Sequence, residues 1–332
     1  MIDITIENFE TDLIAASVGT PVLLDIWAEW CGPCKSLGPV LERLEEEYAG
    51  RFILAKVNAD EQPEISGQLS QMFGVRSIPF CVMFKGGQPV DGFVGAIPPE
   101  KIREFLDKHV ASEDALEAAE ETNEAETLMD EGDTESALAL LEDALVKDPG
   151  NDEARFDLIK LLLAEGQVEA AKHIFLPVAG RATGPVPEAR VVAFSRYIAA
   201  VQAARSGRSP SELAAAVEAN KRDFQARFEL AQIFWAAGQP TQAMDELLEI
   251  IMRDKAWQDE SARKTYVAIL EVLTKPQPKP TPARGPAGHA GVHGQAPGAG
   301  AAPKLEIAGK VEVVPNDPTI DLYRRKLSMA LF

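Results

Sequence analysis

Cys31 and Cys34, in the run Trp30-Cys31-Gly32-Pro33-Cys34, are the residues of this chain with the most explicit chemistry. They follow a strand-length apolar run, Pro21-Val22-Leu23-Leu24-Asp25-Ile26-Trp27-Ala28. A Cys-x-x-Cys pair where a strand gives way to a helix is a redox arrangement. The start of the helix aims unpaired N–H groups and the positive end of its dipole at the first sulfur. That favours thiolate over thiol and makes Cys31 a nucleophile near neutral pH. Cys34 lies three residues on, on the same helical face, placed to attack a mixed disulfide held on Cys31. The competing use of such a pair is half of a structural zinc site. Zinc takes four ligands, and here only Cys81 and four scattered histidines remain (His109, His173, His289, His293). No metal or other cofactor is expected.

Two further residues bear on this chemistry. Asp25 sits in a run that should be buried, and burial disfavours the anion and raises a carboxyl pKa. Cys81 falls on the apolar stretch Phe80 to Phe84, where an unpaired cysteine is expected to be a buried, inert thiol.

The elements that must position these residues alternate between strand and helix. Val22 to Ala28 and Phe52 to Val57 are apolar runs of strand length, as buried parallel strands are. Leu37, Val40, Leu41 and Leu44 make one face of a helix over 37–48, with Pro39 expected to kink it. Phe80 to Phe84 and Val90 to Val94 flank Gly86-Gly87 as the arms of a β-hairpin. Residues 100–110 close this region with an amphipathic helix.

Beyond residue 110 the pattern changes, and from about 115 to 273 it is helical and repeats. Residues 111–147 hold thirteen acidic side chains against Lys147 alone, the composition of a solvated face. Gly132 and Ala137 recur 34 residues later as Gly166 and Ala171. Ala154-Arg155-Phe156-Asp157-Leu158, followed by Ala164, Gly166, Gln167 and Ala171, returns 72 residues on. There it reads Ala226-Arg227-Phe228-Glu229-Leu230, with Ala236, Gly238, Gln239 and Ala243. Helix, glycine turn and a second helix with alanine at the crossing make a helical-hairpin repeat. Pro185, Pro187 and Pro210 predict an irregular repeat between 180 and 222. Residues 275–304 are Pro, Gly or Ala at twenty of thirty positions and carry no acid, so a disordered linker is expected over 275–316. His289 and His293 within it are too few to hold a metal. Asp317-Pro318 then opens a last helix with Ile320, Tyr323, Leu327 and Leu331 at helical spacing and Arg324, Arg325 and Lys326 between them. Such a helix is either a docking peptide or a cap folded back on the repeats.

Residues 1 to about 110 resemble the thioredoxin family. The resemblance rests on five stretches in order: Asp25 to Lys35, Lys56-Val57-Asn58-Ala59-Asp60, Phe73-Gly74-Val75-Arg76-Ser77-Ile78-Pro79, Phe84-Lys85-Gly86-Gly87, and Gly92-Phe93-Val94-Gly95-Ala96. It implies that Asp25 accepts the Cys34 proton with Lys56 as its neighbour, although Lys56 also suits a surface position at a strand end. It implies that Gly32 and Pro33 stiffen the turn and help set the redox poise, and that Trp30 shields the disulfide. Ile78-Pro79 resembles the family's cis-proline loop, which lays the backbone of residue 78 beside a client strand and blocks metal capture. Phe80 stands where the family often has a small polar residue, which predicts an altered client fit.

The repeats look like a degenerate tetratricopeptide array. The order of parts, ending in Tyr323-Arg324-Arg325-Lys326-Leu327-Ser328-Met329-Ala330-Leu331-Phe332, resembles the bacterial co-chaperedoxin family (CnoX, also called YbbN). The resemblance implies a redox-active holdase that protects client cysteines and passes clients to the chaperonin GroEL and the DnaK system. It implies a tail docking on GroEL through Tyr323, Arg324, Arg325, Leu327, Leu331 and Phe332, and a cellular reductase that recycles the cysteines. The alternative is a dedicated protein-disulfide reductase whose repeats recognise one fixed partner.

The expected fold is therefore an α/β thioredoxin fold followed by an all-α repeat domain. The expected divisions are 1–110, an acidic linker 111–121, repeats over 122–274, the linker 275–316 and a docking helix 317–332. A net charge of −19 argues against nucleic acid and anionic membranes as partners. With no basic, apolar leader and three cysteines, the expected location is the reducing cytoplasm.

Overall fold

The computed structural model describes residues 1–275 and 317–331, which divide into two units: residues 1–112, and residues 113–275 with 317–331. Most of the expected linker, with His289 and His293, lies outside the described residues, as does Phe332.

In the first unit β1 (Ile2–Asp3) leads to a π-helical turn (Phe9–Ala15) that continues as α1 (Ala16–Gly19). Then come β2 (Val22–Trp27), α2 (Gly32–Glu47), β3 (Ile53–Asn58), α3 (Pro63–Phe73), β4 (Phe80–Lys85), β5 (Gln88–Val94) and α4 (Pro99–Leu106). The sheet order is β1-β3-β2-β4-β5, with β1, β3 and β2 parallel and β4 and β5 antiparallel to their neighbours. β2 is central and buried on both faces, which accounts for its near-continuous apolar sequence. Gly86 and Gly87, both at positive φ (63° and 79°), make the two-residue turn of the expected hairpin. α2 runs as one helix with Pro39 inside it. α4 ends at Leu106, short of the predicted 110, although Val110 still packs into the core.

Side chains alternate across the sheet. Val22, Leu24 and Ile26 face one side with Val57, Phe80, Val82 and Phe84. Leu23, Leu54, Cys81 and Met83 face the other, under Leu37 and Leu41 of α2 and Ile102 and Leu106 of α4. Asp25 and Lys56 share this second face by the same alternation. The register sets Lys56, Asp25 and Cys81 side by side on adjacent strands.

The second unit contains α5 (Glu113–Glu131), α6 (Thr134–Lys147), α7 (Asp152–Ala164), α8 (Val168–Phe175), a 3-10 turn (Leu176–Ala182), α9 (Ala189–Ser206) and α10 (Pro210–Ala219). It continues with α11 (Phe224–Ala236), α12 (Pro240–Ile251), α13 (Trp257–Leu273) and α14 (Pro318–Leu331). α5 packs on α6, α7 on α8 and α11 on α12. The turns of these three hairpins hold Gly132, Gly166 and Gly238 at φ of 87°, 77° and 71°, the left-handed conformation that ends the first helix. Ala137, Ala171 and Ala243 are fully buried at the crossings. The echo extends to the caps: Asn151 accepts from the Ala154 N–H at 3.0 Å, and Asp223 from the Ala226 N–H at 2.9 Å. Between 180 and 222 the predicted irregularity is the 3-10 turn followed by α9, an 18-residue helix.

One expected division is corrected, and of the two alternatives for the last helix the structure shows the cap. The acidic stretch 111–121 is not a linker from residue 113 onward. It is the first half of α5, whose Ala118, Thr122 and Ala125 bury a stripe of small residues while most of the acids stay outside and Glu121 and Glu126 are partly buried. The last helix folds back on the array. Ile320 and Tyr323 are buried on α12 and α13, with Leu327 and Leu331 packed against the same core. The Tyr266 hydroxyl donates to the Tyr323 carbonyl at 2.8 Å, and the Tyr323 hydroxyl donates to Asp245 at 3.1 Å. Tyr323, Leu327 and Leu331 thus cover the array. The outward side of α14 carries Leu322, Arg325 and Met329, while exposed Arg324 at its flank donates to the Thr274 hydroxyl at 3.1 Å. Among the described residues no helix is long and apolar enough to cross a membrane.

Candidate active site

Cys31 is the N-cap of α2, and Pro33 occupies the first turn, where its missing N–H costs nothing. The Cys34 N–H donates to the Cys31 Sγ at 3.2 Å. The expected geometry is therefore present: the first sulfur takes the place of a capping oxygen and receives a helix N–H. Cys31 and Cys34 are joined in a disulfide. They are 3% and 4% exposed, packed with Ala28, Trp27 and Ile78. Gly32 and Pro33 between them are exposed.

The Ile78–Pro79 peptide is cis, and Pro79 is buried while Ile78 packs on the disulfide. Trp30 stands beside the pair at 71% exposure, its indole N–H donating to Asp60 Oδ2 at 2.9 Å. Glu29, Trp30, Asn58, Asp60 and Glu61 line a shallow, acidic depression there. Phe80 differs from expectation. It is 1% exposed, edge-on to Phe73 on the far face of the sheet, and so does not present its ring to a client.

Asp25 is 2% exposed. Burial pushes its carboxyl up to about 6, while a hydrogen bond from the Cys81 thiol and the Lys56 charge pull it back down. Lys56 acts on Asp25 through charge, as its own ammonium bonds Glu42 of α2 at 2.6 Å. It is thus neither a free surface lysine nor a direct hydrogen-bond partner of Asp25. Gly38 of α2 lies over it: a Cβ there would sit 3.6 Å from the Lys56 Nζ. Cys81 is fully buried and free, and burial together with the Asp25 charge pushes its thiol well up. Sequence reasoning missed the parts played by Glu42, Asp60 and the Cys81 thiol, because each depends on strand register or helix placement. Among the described residues no three metal-ligating side chains converge.

A family model described as thioredoxin matches residues 1–108. The thioredoxin of Chlorobaculum thiosulfatiphilum is 46% identical over 106 residues, 93% of its own length and 32% of this chain. The chain belongs to the thioredoxin family. Thioredoxin 1 of a Nostoc species is 41% identical over 107 residues, covering 94% of that protein and 32% of this one. Two models described as tetratricopeptide repeat match residues 128–190 and 203–285. This member of the thioredoxin family therefore joins an α/β thioredoxin domain to a helical tetratricopeptide region. The Cys31–Cys34 motif in that domain suggests thiol–disulfide redox activity, and the repeats suggest protein partners.

Proposed function

We propose that this chain is a redox-active co-chaperone. In this reading the helical array that begins with α5 at Glu113 holds unfolding clients while the thioredoxin domain works on their disulfides. The single observation that carries the proposal is the union, on one chain, of a capped Cys31–Cys34 pair with a helical-repeat array.

The chemistry runs from the reduced form. The Cys31 thiolate attacks a client disulfide, forming a Cys31–client bond and releasing one client thiolate. Asp25 takes the Cys34 proton, and the Cys34 thiolate attacks the Cys31 sulfur. The mixed disulfide breaks, the second client sulfur leaves as thiolate, and the Cys31–Cys34 disulfide remains. Two electrons have passed to the client, and a cellular dithiol reductase must return them. Trp30 and Ile78-Pro79 form the client-facing wall. GroEL and DnaK are the proposed recipients of held clients, and the cytoplasm is the proposed location. Docking on GroEL with α14 seated as it is uses Arg324 and Arg325 with Leu322 and Met329.

A second reading, a reductase for one fixed partner, is favoured by the covering of the α14 apolar stripe, which leaves the array closed at that end. Light scattering of a heated, cysteine-free client separates the two. We expect the wild type and the Cys31→Ser/Cys34→Ser variant to suppress aggregation equally. Suppression by neither would leave the fixed-partner reading, and a Cys34→Ser trap would then recover one protein rather than many.

A further inference from the structure

An inert thiol is the expectation for Cys81, and its burial agrees. Its position is nevertheless specific. β4 pairs with β2 so that Cys81 lies opposite Asp25, with Lys56 on the other side in β3. The Cys81 Sγ–H is 3.6 Å from Asp25 Oδ1, within reach for a hydrogen bond involving sulfur. Leu23, Leu54 and Met83, its neighbours on this face, offer no donor. The charged groups around Asp25 are few: Lys56 on β3, which is held by Glu42 of α2, and Asp3 next along the row on β1. The Cys31–Cys34 pair opens α2, the helix that covers this face.

A thiol donates to a carboxylate but has little use for a protonated carboxyl, so its hydrogen bond favours the ionised form. Only ionised Asp25 can accept the Cys34 proton. We propose that Cys81 is a positioning residue for the exchange reaction: its thiol proton holds the Asp25 carboxylate ionised and oriented, and so sets the pH at which Cys34 completes each turnover. This rests on the reading of Asp25 as proton acceptor given above. No bond to Cys81 forms or breaks, and its proton stays on sulfur throughout.

An aromatic disulfide that yields a coloured thiolate tests this on the full, reduced chain. One coloured thiolate leaves when Cys31 attacks, the second when Cys34 resolves the mixed disulfide. In Cys81→Ala we expect the pH midpoint of the second phase to rise by about one unit, the size of one hydrogen bond to a charged group. The first phase should stay at its wild-type rate, which also reports an intact site. Cys81→Ser, which restores a donor, should return the midpoint to that of the wild type. An unmoved midpoint in Cys81→Ala, or equal movement in the Ala and Ser variants, overturns the proposal. Asp25→Asn separates the two levels. If it leaves the second phase with its wild-type pH dependence, the acceptor reading falls and this proposal with it. If it removes that dependence while Cys81→Ala changes nothing, only the role of Cys81 falls.

Discussion

Asp25 carries a cost that its burial makes measurable. Its carboxyl is raised to about 6 in the folded chain against about 3.9 when unfolded. Between those values the folded state holds the extra proton, so stability is lost as pH rises through that window. Asp25→Asn removes the loss. The oxidised variant should be about 3 kcal/mol more stable than the wild type near pH 8 and no more stable near pH 3. Urea unfolding at both pH values checks this, and an equal difference at both would rule out titration of Asp25 as its source. The presence of Asp25 and Cys31 at this site was legible because local signals mark them: an acid inside an apolar strand, and a cysteine at a strand-to-helix junction. The partnership of Asp25 with Cys81 was not. It follows from the antiparallel pairing of β4 with β2 across 56 residues of chain, which no local pattern encodes.

At the level of elements, the helical turns were the most legible part of the chain. Gly132, Gly166 and Gly238 each need a left-handed residue, and that demand is local. A helix from about 115 was legible, but the acids of 113–121 outnumber the alanines that pack it, which hid its membership of the array. The seat of α14 depends on which face of α12 and α13 remains uncovered, again a non-local fact. One substitution made at two glycines should act with opposite sign. Gly67 lies exposed within α3, and a methyl added there would meet nothing within 4 Å, so Gly67→Ala should stabilise by about 0.5–1 kcal/mol. Gly166 has equally open space but φ of 77°, so Gly166→Ala should destabilise by about 1–2 kcal/mol through backbone strain alone. Chemical denaturation of each variant reads both signs. A stabilised Gly166→Ala would show that this turn does not hold the left-handed conformation.

At the scale of the whole molecule, charge and the last helix set what partners meet. The chain carries −19, and in the acidic first hairpin Lys147 is held by Glu117, Glu121 and Asp143. The array therefore offers no basic groove there for an acidic partner. Deleting residues 317–332 would test docking poorly, because it would also uncover the faces of α12 and α13 that Ile320 and Tyr323 bury. The cleaner variant changes only the outward side of α14. Arg325→Glu with Met329→Asp should abolish chaperonin association in a pull-down while shifting the melting temperature by no more than about 2 °C. Retained association would remove this face from the docking reading. The sealed thiol has one more consequence. With Cys31 and Cys34 oxidised, Cys81 is the one free sulfhydryl of the chain, and it sits on a central strand with no exposed surface. An alkylating reagent can reach it only when the sheet opens, so the rate at which a single label appears on the oxidised protein is a clock for opening of the redox unit, readable by mass even in a mixture of clients.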